Sequence, residues 1–297
     1  MTLFQESFVA RDGTHIPATL VLSRHASPRP TLVRAYGAYG QSLPTAFKYE
    51  DVPLLLRDWN IVFLHVRGGG ELGPAWHEQG RKLLKAASSN DVVDGVLWLR
   101  QGTLRSRVDR VVLEAYSAGA LSVATAALDP LLKGSAPHSR SLPMISALLL
   151  QYAFVDPLSA MMDGSLSLTV HERDEWGDPI ADESTRALLE HISPYHRVLR
   201  GQLPSCPVLL MNSAIDVRVQ PWQQAKFIQA LRASLRNSGL NAHALSHAPS
   251  PSRLSAPPAL MITDFFNGHM GPDDAALQAA AAARNVVWMM CAVGALE

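Results

Sequence analysis

The chain has 297 residues, 47% of them hydrophobic, with 26 basic and 26 acidic side chains and a formal net charge of zero. That is enough apolar material for one large core, and the balanced charge without any basic run gives no support to a nucleic-acid partner. The N-terminus lacks a charged stretch followed by an apolar one, and no charge-free apolar window of about 18 residues occurs, so neither a signal peptide nor membrane insertion is expected.

In chain order, residues 5–23 read as two strands joined by the turn Asp12-Gly13-Thr14, and 31–36 as a short apolar strand ending in a Gly-rich corner. Residues 51–59 suggest a helix with Leu54, Leu55 and Leu56 inward, and 60–66 a continuous apolar strand of the kind buried on both faces. A helix is expected over 88–99, with Ser88 or Ser89 as its cap and Asp91 at its positive end. Then come a strand at 110–115, a helix at 118–128, strands at 145–151 and 207–211, and a helix at 221–237 with Gly239 just beyond it. A last short strand at 260–263 and a long helix at 273–293 close the chain. Strands alternating with helices predict an α/β fold with a mostly parallel sheet covered on both faces, formed by 1–297 as one domain. Residues 134–143 and 246–258 read as surface insertions. Cys206 precedes an apolar strand and Cys291 falls in the apolar last helix, so both are expected to be buried thiols of a cytoplasmic protein. No Cys/His cluster has zinc spacing, so no metal or cofactor is expected.

The string Leu113-Glu114-Ala115-Tyr116-Ser117-Ala118-Gly119-Ala120 follows an apolar run and opens a helix. A strand that turns at a serine into a helix is a nucleophile elbow, and the small Ala115 and Gly119 on either side satisfy its crowding. Alone the string is weak; a serine in a loop is the plainer reading. An activated serine needs a histidine base, and that base needs a carboxylate to fix its tautomer. In hydrolases built on this elbow the order is Ser, then Asp or Glu, then His. Asp216, just after the 207–211 strand, and His269, in the Gly-rich loop after the last strand, both lie at carboxyl ends on the rim that Ser117 occupies.

Further motifs sharpen this. Arg67-Gly68-Gly69-Gly70-Glu71-Leu72-Gly73 with Trp76-His77, Tyr36-Gly37-Ala38-Tyr39-Gly40, Glu175-Trp176-Gly177-Asp178-Pro179 and Ser193-Pro194-Tyr195 resemble the prolyl oligopeptidase family, in its oligopeptidase B and prolyl endopeptidase-like branches. The glycines of 68–70 are read as close packing beside the rim. The resemblance implies an α/β-hydrolase fold, with Ser117 as nucleophile, Asp216 as orienting acid and His269 as base. It also implies an oxyanion hole from the Ala118 N–H and the Tyr36 hydroxyl. Arg218, in Asp216-Val217-Arg218-Val219, inherits a role in holding a substrate carbonyl. Glu172 and Asp174 stand where oligopeptidase B receives a basic side chain. Full-length relatives carry a β-propeller over the site; this chain starts at the hydrolase part, so no propeller is expected, and the uncovered face is expected to favour self-association.

The implied activity is serine-type endopeptidase cleavage of short peptides after basic residues, through an acyl-enzyme. Two alternatives stay open: an esterase or thioesterase using the same triad, and a non-catalytic interaction protein that keeps the fold.

Overall fold

The computed structural model describes residues 1–133, 143–166, 168–237 and 258–295. Gly239 and nearly all of the two expected insertions fall outside them. Among the described residues eight strands form one sheet: β1 (Thr2–Val9), β2 (His15–Leu22), β3 (Arg29–Ala35), β4 (Asn60–Leu64), β5 (Val108–Tyr116), β6 (Ala147–Gln151), β7 (Val208–Ser213) and β8 (Ala259–Asp264), in the order β1-β2-β4-β3-β5-β6-β7-β8. β1 and β2 form the antiparallel hairpin expected around Asp12-Gly13-Thr14, and β2 runs antiparallel to β4; every other pairing is parallel. β4 and β7 are buried along their whole length; their apolar runs Ile61–Leu64 and Val208–Met211 suit a strand covered on both faces.

Among the described residues ten helices surround the sheet: α1 (Val52–Leu55), α2 (Pro74–Glu78), α3 (Ala86–Gln101), α4 (Gly119–Ala127), α5 (Pro157–Met162), α6 (Thr169–Trp176), α7 (Glu183–Ile192), α8 (Pro194–Leu199), α9 (Pro221–Asn237) and α10 (Ala275–Ala292). Alternate strand residues feed opposite cores. Val33, Leu113 and Leu148 pack with Val93 of α3, Val123 of α4 and Phe227 of α9. Their neighbours Leu32, Val112 and Leu149 pack with Leu54 of α1 and Val286 and Met289 of α10. A third cluster, including Ala118, Leu121, Phe154, Trp176 and Leu189, lies where α4 meets α5–α7. The order, parallel pairing and two helical layers are those of an α/β-hydrolase, and no β-propeller is present among the described residues.

Three expectations need correction. The helix expected over 51–59 is only α1, preceded by a 3₁₀ turn, and Leu56 is 78% exposed. A turn follows Leu55, and Asp58 at its end, with φ +60°, directs the chain toward β4. Ser88 and Ser89 do not cap α3, which starts at Ala86; Ser88 Oγ donates to the Arg67 carbonyl at 2.6 Å. Asp91 accepts from Arg67 Nη2 at 2.6 Å, so these polar residues tie α3 to the glycine-rich loop. Cys206 is buried, but Cys291 is exposed, because α10 turns that face away from the sheet. The helices α5–α8 were not anticipated, although Asp156, Asp182 and Ser193 each cap one by accepting a first-turn N–H.

Candidate active site

Three loops at the carboxyl ends of β5, β7 and β8 bring the expected residues together. Ser117 follows β5 directly and has φ +53°, a left-handed conformation that costs a non-glycine residue about 1–3 kcal/mol. The elbow is held by Ser117 N–H donating to the Gln151 carbonyl at 2.9 Å, while the Ser117 carbonyl accepts from Phe154 N–H and Ala120 N–H at 3.1 Å each. At Gly119 a Cβ would lie 2.8 Å from Tyr36 Cδ2 and 3.0 Å from the Ala35 carbonyl oxygen, so a side chain is excluded there. That contact brings the end of β3, and hence Tyr36, against the first turn of α4.

Asp216 lies in the turn after β7. Its Oδ1 accepts the N–H groups of Arg218 and Val219 at 2.9 Å each, and its Oδ2 faces His269 Nδ1 at 2.7 Å. His269 Nε2 lies 2.9 Å from Ser117 Oγ. A carboxylate can only accept, so Nδ1 carries the proton and Nε2 is left to accept from the serine hydroxyl. Both side chains are almost wholly buried. The His269 loop is pinned from below: Tyr116 OH donates to the His269 carbonyl at 2.5 Å, Ser213 Oγ donates to the Asn267 carbonyl, and Asp264 Oδ1 accepts from the N–H groups of Phe266 and Asn267 at 2.8 and 3.1 Å. The imidazole sits beside the rings of Tyr116 and Tyr152, with centroids at 5.3 and 5.8 Å.

Tyr36 is half-buried. Burial pushes its phenol above the usual range, and the charge of Arg218 offsets only part of this, so the hydroxyl remains a donor at neutral pH. Ala118 opens α4, where first-turn N–H groups have no intrahelical acceptor. Arg218 is exposed and makes no ion pair among the described residues; its charge acts on Tyr36, Tyr116 and Glu172. Glu172, on α6, is half-buried, and burial raises its pKa against the opposing pull of the polar groups of Tyr39 and Trp176 and of the Arg218 charge.

Asp174 is not brought to this group. Its side chain is 91% exposed and faces Lys82 Nζ at 3.5 Å. In its place the structure buries Glu175, whose two oxygens meet Lys85 Nζ at 2.7 Å and His77 Nε2 at 2.6 Å. Neither Lys85 nor that role for Glu175 was anticipated, though Glu175 and His77 fall inside the motifs quoted above. The glycine-rich run packs as expected: a Cβ at Gly68 would sit 2.3 Å from the Gly37 carbonyl oxygen, and one at Gly70 2.1 Å from that of Gly40. Among the described residues no group of three His, Cys, Asp or Glu side chains could hold a metal ion, and no helix is long and apolar enough to cross a membrane.

Sheet order and elbow together define the α/β-hydrolase class. The sequence profile of the prolyl oligopeptidase family matches residues 45–271, a span that holds Ser117, Asp216 and His269 and leaves out Tyr36. The chain belongs to the prolyl oligopeptidase family, a family of serine peptidases. It is 34% identical over 227 residues to prolyl endopeptidase-like of Gallus gallus, covering 75% of this chain and 29% of that protein. It is 32% identical over 228 residues to dipeptidyl aminopeptidase BI of Pseudoxanthomonas mexicana, again covering 75% of this chain and 29% of that protein. Oligopeptidase B from Leishmania major has the same fold, with a TM-score of 0.81 at 24% identity, over 99% of this chain and 37% of that one. The chain thus spans about a third of the length of the relatives it matches.

Proposed function

We propose that the chain hydrolyses acyl bonds through Ser117, His269 and Asp216, with short peptides as the substrate class. The observation that carries this is the unbroken hydrogen-bonded path from Ser117 Oγ to His269 Nε2 and from Nδ1 to Asp216 Oδ2, at 2.9 and 2.7 Å. His269 takes the serine proton as Oγ attacks the substrate carbonyl. The oxyanion is met by the Ala118 N–H and the Tyr36 hydroxyl. His269 then gives the proton to the leaving amine, and water releases the acyl-enzyme by the same steps. Arg218, exposed beside Tyr36 and Glu172, binds a substrate carbonyl. Glu172 alone, without Asp174, receives a basic side chain before the cleaved bond.

The outward turn of Asp174 favours a second reading, hydrolysis of esters or thioesters with little demand for a basic group. One experiment orders the readings. Labelling by a serine-directed fluorophosphonate, lost in Ser117→Ala, is expected; absence of labelling leaves only a non-catalytic interaction protein. In a labelled protein, Arg- and Lys-amide substrates compared with neutral amides and aryl esters separate peptidase from esterase. The cytoplasmic location, single-domain organisation and self-association inferred above belong with this proposal.

A further inference from the structure

Lys85 is 1% exposed, yet it is a lysine. Its Nζ donates to the Gly37 carbonyl at 2.8 Å and to Glu175 Oε1 at 2.7 Å, and lies 4.5 Å from the centre of the Trp176 ring. A buried ion pair is a poor means of stabilising a fold, since apolar residues of similar volume usually serve as well or better. What it does supply is direction: an ammonium and a carboxylate fix the elements that carry them at hydrogen-bond distance.

The elements fixed here are the ones the proposed chemistry uses. Gly37 follows Tyr36 immediately; Ser88 Oγ, whose one proton goes to the Arg67 carbonyl at 2.6 Å, lies 3.3 Å from the Gly37 carbonyl oxygen and leaves Lys85 as its short donor. Glu175 lies on α6 three residues beyond Glu172 and next to Trp176, whose Nε1 donates to Tyr39 OH at 3.2 Å. The second Glu175 oxygen meets His77, whose ring lies where a Cβ on Gly40 would be 3.3 Å away. Both ends of the 36–40 turn are therefore referred to one buried carboxylate.

We propose that Lys85, with Glu175, is a positioning residue that aims the Tyr36 hydroxyl at the developing oxyanion and holds α6 in register with it. This rests on the reading of Tyr36 as an oxyanion donor. Without the pair, the Gly37 carbonyl keeps only the long Ser88 contact, the turn relaxes, and the hydroxyl is no longer held where the negative charge forms.

The test is a double-mutant comparison. Lys85→Met with Glu175→Gln removes both charges, so neither is left alone in the interior. For a neutral aryl ester, kcat is expected to fall by about tenfold to a hundredfold, less than the roughly 10²–10³ lost when an oxyanion donor is removed outright, with KM changed less than twofold. In a Tyr36→Phe background the same pair of substitutions is expected to cost almost nothing further. Losses that multiply in that background, or a full-rate variant, overturn the positioning role. If the double variant does not fold, His77→Gln removes one outer link from a partly exposed site, and a smaller loss with the same dependence on Tyr36 is expected. A multiplicative loss or none overturns the role there too. Failure of the underlying reading looks different: Tyr36→Phe by itself then has no effect on kcat, and the role falls with it.

Discussion

Replacing Asp216 by Asn is expected to abolish most activity while leaving the fold intact, and the geometry dictates why. Asp216 Oδ1 accepts two backbone N–H groups at 2.9 Å. In an asparagine, the carbonyl oxygen must take that place, because an NH₂ there would confront two donors and leave both unpaired in the interior. The NH₂ then occupies the position of Oδ2, 2.7 Å from His269 Nδ1. It can only donate, so Nδ1 must give up its proton and Nε2 must carry one. A protonated neutral Nε2 facing Ser117 Oγ cannot accept the serine proton. Loss of the base in this way costs about 10⁴ in kcat, or roughly 5.4 kcal/mol at 1.36 kcal/mol per factor of ten. The assay is the single-turnover acylation rate with an aryl ester, with the denaturation midpoint measured in parallel. An Asp216→Asn variant acylating within tenfold of the parent would refute the derivation, because His269 would then have its tautomer set by another group.

Gly119→Ala places a methyl group 3.0 Å from the Ala35 carbonyl, part of β3 and unable to yield. A stability loss of about 1–3 kcal/mol, seen as a lower denaturant midpoint, and slower fluorophosphonate labelling are expected, and an unchanged midpoint counts against the close approach. Burial holds the Glu172 pKa above the usual carboxylate range, so as pH falls from neutral the carboxyl takes up its proton early. The preference for Arg-amide over a neutral amide, as a ratio of kcat/KM, should decline at a higher pH than an ordinary carboxylate would give, and Glu172→Gln should flatten it. Alkylation of the native protein should modify Cys291 alone. Cys206 is buried and its thiol is pushed up to about 12 by burial, so it should react only after unfolding; two modified thiols in the folded protein would contradict its placement.

How much of the site could be read from the chain depends on how local each signal is. Ser117, Asp216 and His269 each lie in a short string at the end of an apolar strand, and the parallel sheet then brings strand ends to one rim without further information. Glu172 and Asp174 show the limit. Two residues apart on a helix, they point about 200° apart around its axis and cannot share a pocket, whereas positions three and four apart do face together. On α6 it is Glu175 and Trp176, three and four residues on, that share the face of Glu172. The segment 157–199 hid its helices because each is short, but Pro157 and Pro194 directly after Asp156 and Ser193 were usable start signals. Lys85 was illegible for a different reason. A lysine reads as surface in any hydropathy pattern, and only its distant partners, Gly37 and Glu175, reveal that it is enclosed.

As the nucleophile proposed above, Ser117, held at φ +53°, puts durability and reactivity in opposition at a single residue. Glycine at that site would adopt the same backbone shape without the steric conflict, yielding a hardier chain with no hydroxyl to react. Directed evolution toward heat resistance that selects on folding alone would therefore drift toward inert molecules here. The elbow marks where such a campaign must also demand turnover.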